Sequence, residues 1–361
     1  MSDIELTNIE ATDPLMHSLI KNSDDCNGDG CQTSGCTGIY VDTDFGQVFV
    51  VPIGAPIESK KPFILTYHDI GLNFVSNYQA FFNFFEMKLL SESFCILNLH
   101  APGQEENAIR LPDSYTFPTM DQLAQQVDSV CKHFGITNFI GFGAGAGANV
   151  LSRFALKFPE MVDGLFLINP TSTQASWAEW IYQRINIYYL GSAIQNFSQS
   201  MQDYLLWHHF GTLTENRNRD LIQVYRTYFS GRNHCARNLA LFLDSYIKRS
   251  DLNIVRGNKS KNFNCSVLII CGALSPHVED TVTMNSRLNP ENSTWMKLSD
   301  CGMVLEEQPQ KVSEAFRLFL QGLGYALTAF ERRRSRALSR SQSEDDSSQK
   351  MHIVENPIAQ C

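Results

Sequence analysis

Five short apolar runs set the terms on which this chain can fold. They are PFILTY (62–67), FCILNL (94–99), TNFIGF (137–142), GLFLIN (164–169) and CSVLIIC (265–271). None alternates cleanly between apolar and polar residues, so each reads as a strand buried on both faces. The segments NYQAFFNFFEMKLLSE (77–92), TMDQLAQQVDSVCKHFG (119–135) and ANVLSRFALKFP (148–159) separate the first four runs and carry helical spacing. Thr119 stands where an N-cap belongs. Strand–helix alternation of this kind predicts a mostly parallel sheet with helices on both faces. Before it, GIYVDTDFGQVFVVPIG (38–54) alternates around a DFG turn and predicts a β-hairpin. After it, STWMKLS (293–299) and PQKVSEAFRLFLQGLGYAL (309–327) predict a last strand and a last long helix.

Residues 171–250 break the rhythm with helical, aromatic-rich segments and no strand between them. A helical insert at this point predicts a cap over the carboxyl edge of the sheet, where ligands bind in such folds. The main domain is therefore expected over residues 39–330, with 171–250 as cap. Residues 1–38 read as a flexible segment, and 331–361, beginning ERRRSRALSRSQSEDD, as a disordered Arg/Ser-rich tail.

The chain has 29 basic and 38 acidic residues, a net charge of −9, which argues against nucleic-acid binding. The first 20 residues lack a basic stretch followed by an apolar core, and no apolar run approaches the roughly 18 residues of a membrane span. A cytoplasmic protein is expected, and with it ten reduced cysteines. Cys26, Cys31 and Cys36 form C-x4-C-x4-C, looser than metal-binding pairs, and read as incidental thiols. No metal and no cofactor are expected.

The stretch GFGAGAGANV (141–150) follows a strand and opens a helix. A phosphate-binding loop needs a Lys that is absent here. The dinucleotide fingerprint fits residues 143–148, but it wants an acid at the far end of the next strand, where Asn169 stands. The third candidate is the nucleophile elbow G-x-S-x-G of α/β-hydrolases. Read in the register Gly141–Gly145, its central position is Gly143, which has no side chain. The acid position after VLIICG falls at Ser275, and the histidine position before Glu307 and Pro309 falls at Met303. Gly, Ser and Met cannot activate a nucleophile.

Together HDIGLNF (68–74), HAPGQEE (100–106), YTFPTMDQLA (115–124), IGFGAGAGANVLSRFALKFPEMVDGLFLIN (140–169) and RSDLNIVRG (249–257) resemble the N-myc downstream-regulated gene (NDRG) family. The resemblance implies an α/β-hydrolase fold without hydrolase activity. It also implies a cytoplasmic protein of differentiation, stress and growth signalling and vesicle traffic, with a phosphorylated tail. His100 departs from the Asp that family members often carry.

His68, Asp69, His100 and His277 fall just after strands and are the pocket candidates. His68-Asp69 is expected to keep a vestigial oxyanion-loop turn, and the others to be hydrogen-bonded surface groups, rather than to form a hydrolytic or metal site. Trp177, Trp180, Tyr188, Tyr189 and Trp207 are expected to pack the cap on the core. In the tail, Ser339 ends R-x-R-x-x-S and Ser343 precedes Glu-Asp-Asp, patterns resembling kinase sites. Arg332–Arg340 would favour an anionic membrane surface. The function expected is a non-enzymatic adaptor with protein partners in signalling or vesicle traffic. The alternatives are an unorthodox hydrolase at His68/Asp69 and a small-ligand or lipid carrier under the cap.

Overall fold

The computed structural model describes residues 38–192, 197–213, 217–230 and 235–325. Cys26, Cys31, Cys36, Ser339, Ser343 and the basic tail lie outside them.

The hairpin forms as β1 (Ile39–Thr43) and β2 (Gly46–Gly54). The apolar runs become β3 (Phe63–Tyr67), β4 (Cys95–Leu99), β5 (Phe139–Ala144), β6 (Val162–Ile168) and β7 (Ser266–Gly272), and β8 is Ser293–Leu298. All eight make one sheet in the order β1-β2-β4-β3-β5-β6-β7-β8, antiparallel through β4 and parallel from there on.

Successive side chains of a strand point to opposite faces, so each apolar run feeds two cores. Leu65, Tyr67, Leu165, Leu167 and Ile269 belong to one, and Ile64, Ile140, Phe142, Phe166, Ile168 and Ile270 to the other. The first core is closed by α3 (Met120–Phe134) and α4 (Ala146–Lys157). Thr119 and Gln122 complete a reciprocal capping box on α3, satisfying two N–H groups that have no partner within the helix.

The other core is closed by α1 (Ala80–Asn83), α2 (Phe85–Ser91) and the last helix, α11 (Pro309–Gly322), with Phe142 at its centre against Phe81, Phe166 and Phe316. The single helix expected over 77–92 is broken at Phe84, whose ψ is 136°. The break lets Phe81 and Phe82 on one side, and Met87 and Leu90 on the other, reach the same sheet face.

Between β6 and β7 lie α5 (Trp177–Ser192), α6 (Gln199–Phe210), α7 (Arg219–Ser230) and α8 (Ala236–Ile247), with no strand among the described residues. They cap the carboxyl edge of the sheet. The aromatic cluster does not pack as expected: Trp177 is 80% and Tyr188 73% exposed, and Trp180, Tyr189 and Trp207 are exposed too. The reason is the face that α5 buries. Gln183, Asn186 and Leu190 point inward, with Asn186 donating to Gln183 at 3.2 Å, so the aromatics are left outside. Arg249 holds this helix by a bidentate pair with Glu179 at 2.9 and 3.0 Å.

Two further helices follow β7 and β8, α9 (Val278–Arg287) and α10 (Val304–Glu307).

Candidate functional site

The sharp reversal between β5 and α4 falls at Gly145, with φ 50° and ψ −113°. A side chain there is strained. Gly143, the residue expected at the reversal, is instead in β5, paired with Tyr67 and Leu167, and its φ is not positive. The elbow is therefore Gly143-Ala144-Gly145-Ala146-Gly147, two residues beyond the expected register. The physical reason for the slip is that moving along a strand by two keeps the face unchanged, so both registers satisfy the same pattern. Gly143 and Gly147 serve close packing: a Cβ on Gly143 would lie 2.6 Å from the Ala148 Cα, and one on Gly147 would lie 2.0 Å from the Tyr67 carbonyl oxygen.

Asp69, on the loop after β3, fills the space a nucleophile would use. A Cβ on Gly145 would sit 2.1 Å from both Cγ and Oδ1 of Asp69. Asp69 Oδ1 accepts from the backbone N–H of Ala146 at 2.9 Å and of Ile70 at 2.7 Å. In hydrolases of this fold, the N–H after the nucleophile and one from the loop after the third strand form the oxyanion hole. Here a fixed carboxylate holds both donors. Negative charge developing on a substrate would meet negative charge, the reverse of what acyl transfer requires.

The other oxygen, Oδ2, faces α6: His208 Nε2 lies at 3.1 Å and His209 Nδ1 at 3.6 Å. Burial alone would raise the Asp69 pKa. The charge and hydrogen bond of His208, then His209 and the Ala146 N–H, outweigh it and hold the carboxyl well below its ordinary range. His208 Nδ1 lies 3.3 Å from the Tyr204 hydroxyl and 3.2 Å from His277 Nε2, and His277 Nδ1 lies 3.9 Å from Asp280. Burial first, and His208 second, depress the His277 pKa.

The four pocket candidates thus separate, and His100 and His277, expected at the surface, lie inside: His100 is 3% exposed and the His277 side chain 12%. Asp69 and His277 join one buried chain through His208. His68 and His100 do not belong to it. His68 Nδ1 donates to the Asp69 carbonyl at 2.8 Å, and its Nε2 accepts from the Ala101 N–H at 3.0 Å. His100 Nδ1 donates to the Phe49 carbonyl and its Nε2 accepts from the Phe74 N–H, both at 3.1 Å. Desolvation holds both rings neutral, with pKa values lowered to about 4 for His68 and about 3 for His100. Met303 does line the same small space as Asp69, Gly145, His208 and His209, whose volume is about 20 Å³, room for one water. Ser275 is not among its lining residues; its hydroxyl accepts from the His277 N–H. Glu307 pins the loop before α10, accepting from the N–H of Gly302 and Met303 and pairing with Arg217 of the cap.

The sequence reading missed His208, His209 and Arg217. The available signal was two adjacent histidines inside an apolar helical segment, LLWHHF, where unpartnered polar rings would be costly.

A sheet in this order, a glycine-built elbow after β5 and a helical cap define an α/β-hydrolase-fold protein whose nucleophile position carries no side chain. Solved structures of hydrolases share the fold. An esterase from Thermogutta terrifontis superposes with a TM-score of 0.62 at 17% identity, over 80% of this chain and 99% of that one. A hydrolase from Pseudomonas aeruginosa PA01 gives 0.61 at 17%, again over 80% and 99%. The chain belongs to the Ndr family, whose sequence model matches residues 39–327. It is 36% identical to Protein NDRG1 of Xenopus tropicalis over 84% of this chain and 76% of that one. It is 37% identical to Protein NDRG4-A of Xenopus laevis over 85% and 78%.

Proposed function

We propose that this protein is a non-enzymatic, cytoplasmic adaptor that works by docking protein partners in signalling or vesicle traffic. The observation that carries the reading is Asp69: its carboxylate occupies the elbow and its oxyanion donors, beside a Gly145 that offers no nucleophile. The exposed face of α5 supplies a docking surface of a suitable kind. Trp177, Ile181, Ile185 and Tyr188 are each at least half exposed on one helix, and aromatic clusters of this sort anchor protein interfaces. The tail supplies the regulation, through phosphate added at Ser339 and Ser343 beside arginines. Unphosphorylated, its arginines favour anionic membrane.

Two measurements test this. A fluorophosphonate probe should label no residue of the native protein, and simple esters should not turn over; labelling lost on denaturation would overturn the non-enzymatic reading. Proximity labelling in cells should lose partners when Trp177 and Tyr188 are both changed to Ala, and change again with Ser339→Ala. An unaltered partner set in both would remove the docking proposal.

A further inference from the structure

Asp69, His208 and His209 place three donor atoms within 4.8 Å of one another, all buried. Their neighbours fix which atoms face inward. His209 Nε2 donates to the Ile70 carbonyl at 2.9 Å, so its Nδ1 carries the lone pair. That lone pair points toward Asp69 Oδ2 at 3.6 Å, two acceptors facing each other with no proton between them. Such a pair calls for a cation. Asp69 Oδ1 is already held by two N–H groups, which leaves Oδ2, hydrogen-bonded by His208 Nε2, as the oxygen that can ligate once that proton is displaced.

The two separations from the carboxylate suit a tetrahedral ion, and the two ring nitrogens lie within 4.8 Å of each other. Ligand bonds of about 2.0–2.1 Å in a tetrahedron put donor atoms about 3.3 Å apart. The separations from Asp69 Oδ2 are 3.1 Å to His208 Nε2 and 3.6 Å to His209 Nδ1, on either side of that value. The second nitrogens are also placed as metal-bound histidines require, each with a partner that orients the ring. For His209 it is the Ile70 carbonyl, and for His208 it is His277 Nε2 and the Tyr204 hydroxyl. The adjoining 20 Å³, lined by Asn169 and Met303 as well, admits a single water as fourth ligand and no substrate.

We propose that Asp69, His208 and His209 bind one Zn²⁺, which fastens cap helix α6 to the loop after β3. Two imidazoles and one carboxylate favour zinc over calcium or magnesium, which take oxygen ligands. On binding, the ion replaces the proton on His208 Nε2 that is otherwise shared with Asp69. The ring stays neutral by carrying that one proton on Nδ1 instead, from which it hydrogen-bonds to His277 Nε2.

The test uses the full chain, stripped with chelator, in wild-type form and with Cys26, Cys31 and Cys36 changed to Ser. Both proteins should take up one equivalent of Zn²⁺ and melt at a higher temperature with it. Co²⁺ in its place should give the visible spectrum of four-coordinate cobalt without a thiolate charge-transfer band. His209→Gln should weaken Zn²⁺ binding by about 100-fold or more. Loss of the metal in the Cys→Ser protein, a thiolate band, or wild-type affinity in a folded His209→Gln would each overturn the proposal. Should His209→Gln not fold, the cobalt spectrum of the Cys→Ser protein decides alone, and its absence refutes the site.

Discussion

His68 and His100 lie as deep as His208 and His209, all 1–5% exposed, yet the two pairs are wired in opposite ways. Each ring of the first pair meets one backbone carbonyl and one backbone N–H. Both nitrogens are used, the tautomer is fixed, and no valence is left over. Both rings of the second pair face a carboxylate; His209 spends one nitrogen on the Ile70 carbonyl, while the bonds of His208 run on through side chains to Tyr204 and His277. Depth of burial therefore does not separate structural histidines from histidines with chemistry to offer. What separates them is whether backbone groups complete the bonding of both ring nitrogens or leave at least one to a side chain.

The strongest way to break the contrast is to remove the carboxylate. Asp69→Ala leaves the N–H groups of Ile70 and Ala146 unpaired and His208 Nε2 without its acceptor, so a loss of about 3–5 kcal/mol is expected in urea unfolding. A loss below 1 kcal/mol would show that the buried chain is not a structural centre. Next is Gly145→Ala, which combines a strained backbone with a Cβ 2.1 Å from the Asp69 carboxylate. It should cost about 2–3 kcal/mol. Asp69→Gly in the same protein should make the two changes less than additive, since the clash is then gone. Strict additivity would count against the contact.

The first pair is probed by acid. His100 is neutral when folded, its pKa lowered to about 3 chiefly by burial and then by His68, which faces it alongside the Phe49 carbonyl and the Phe74 N–H. Below about pH 6.5 the unfolded chain protonates this residue while the folded chain does not, so stability falls as pH falls. Asp69, with its pKa depressed, stays ionised across this window and adds no slope there. Between pH 6 and 5, the stability of His100→Asn should fall by about 1 kcal/mol less than that of the wild type. Equal slopes would mean that His100 is not held neutral. The smallest effect is expected outside the core: Trp177→Ala should change stability by no more than about 0.5 kcal/mol while reducing partner recovery.

Much of the fold was legible because periodicity is a local property. The hairpin, the order of strands and helices, the helical cap and the Thr119 cap all follow from spacing within a few residues. The elbow register was not legible, because GFGAGAG offers two glycine frames that present the same strand face. Nor was the orientation of α5. Which stripe of a helix turns inward depends on what it packs against, and here Gln183, Asn186 and Leu190 take that side. His208 and His209 were missed for a related reason, since their partner, Asp69, lies 139 residues from the first of them.

The filled elbow also limits where the sequence can go next. A hydroxymethyl group at Gly145 would collide with Asp69, so a step toward a nucleophile is harmful while the carboxylate stays. Removing the carboxylate first strands two backbone donors and an imidazole in the interior. Each step alone descends, and their combined benefit appears only at the end. The carboxylate thus works as a ratchet in sequence space, closing to single neutral substitutions the route to a nucleophile at this elbow.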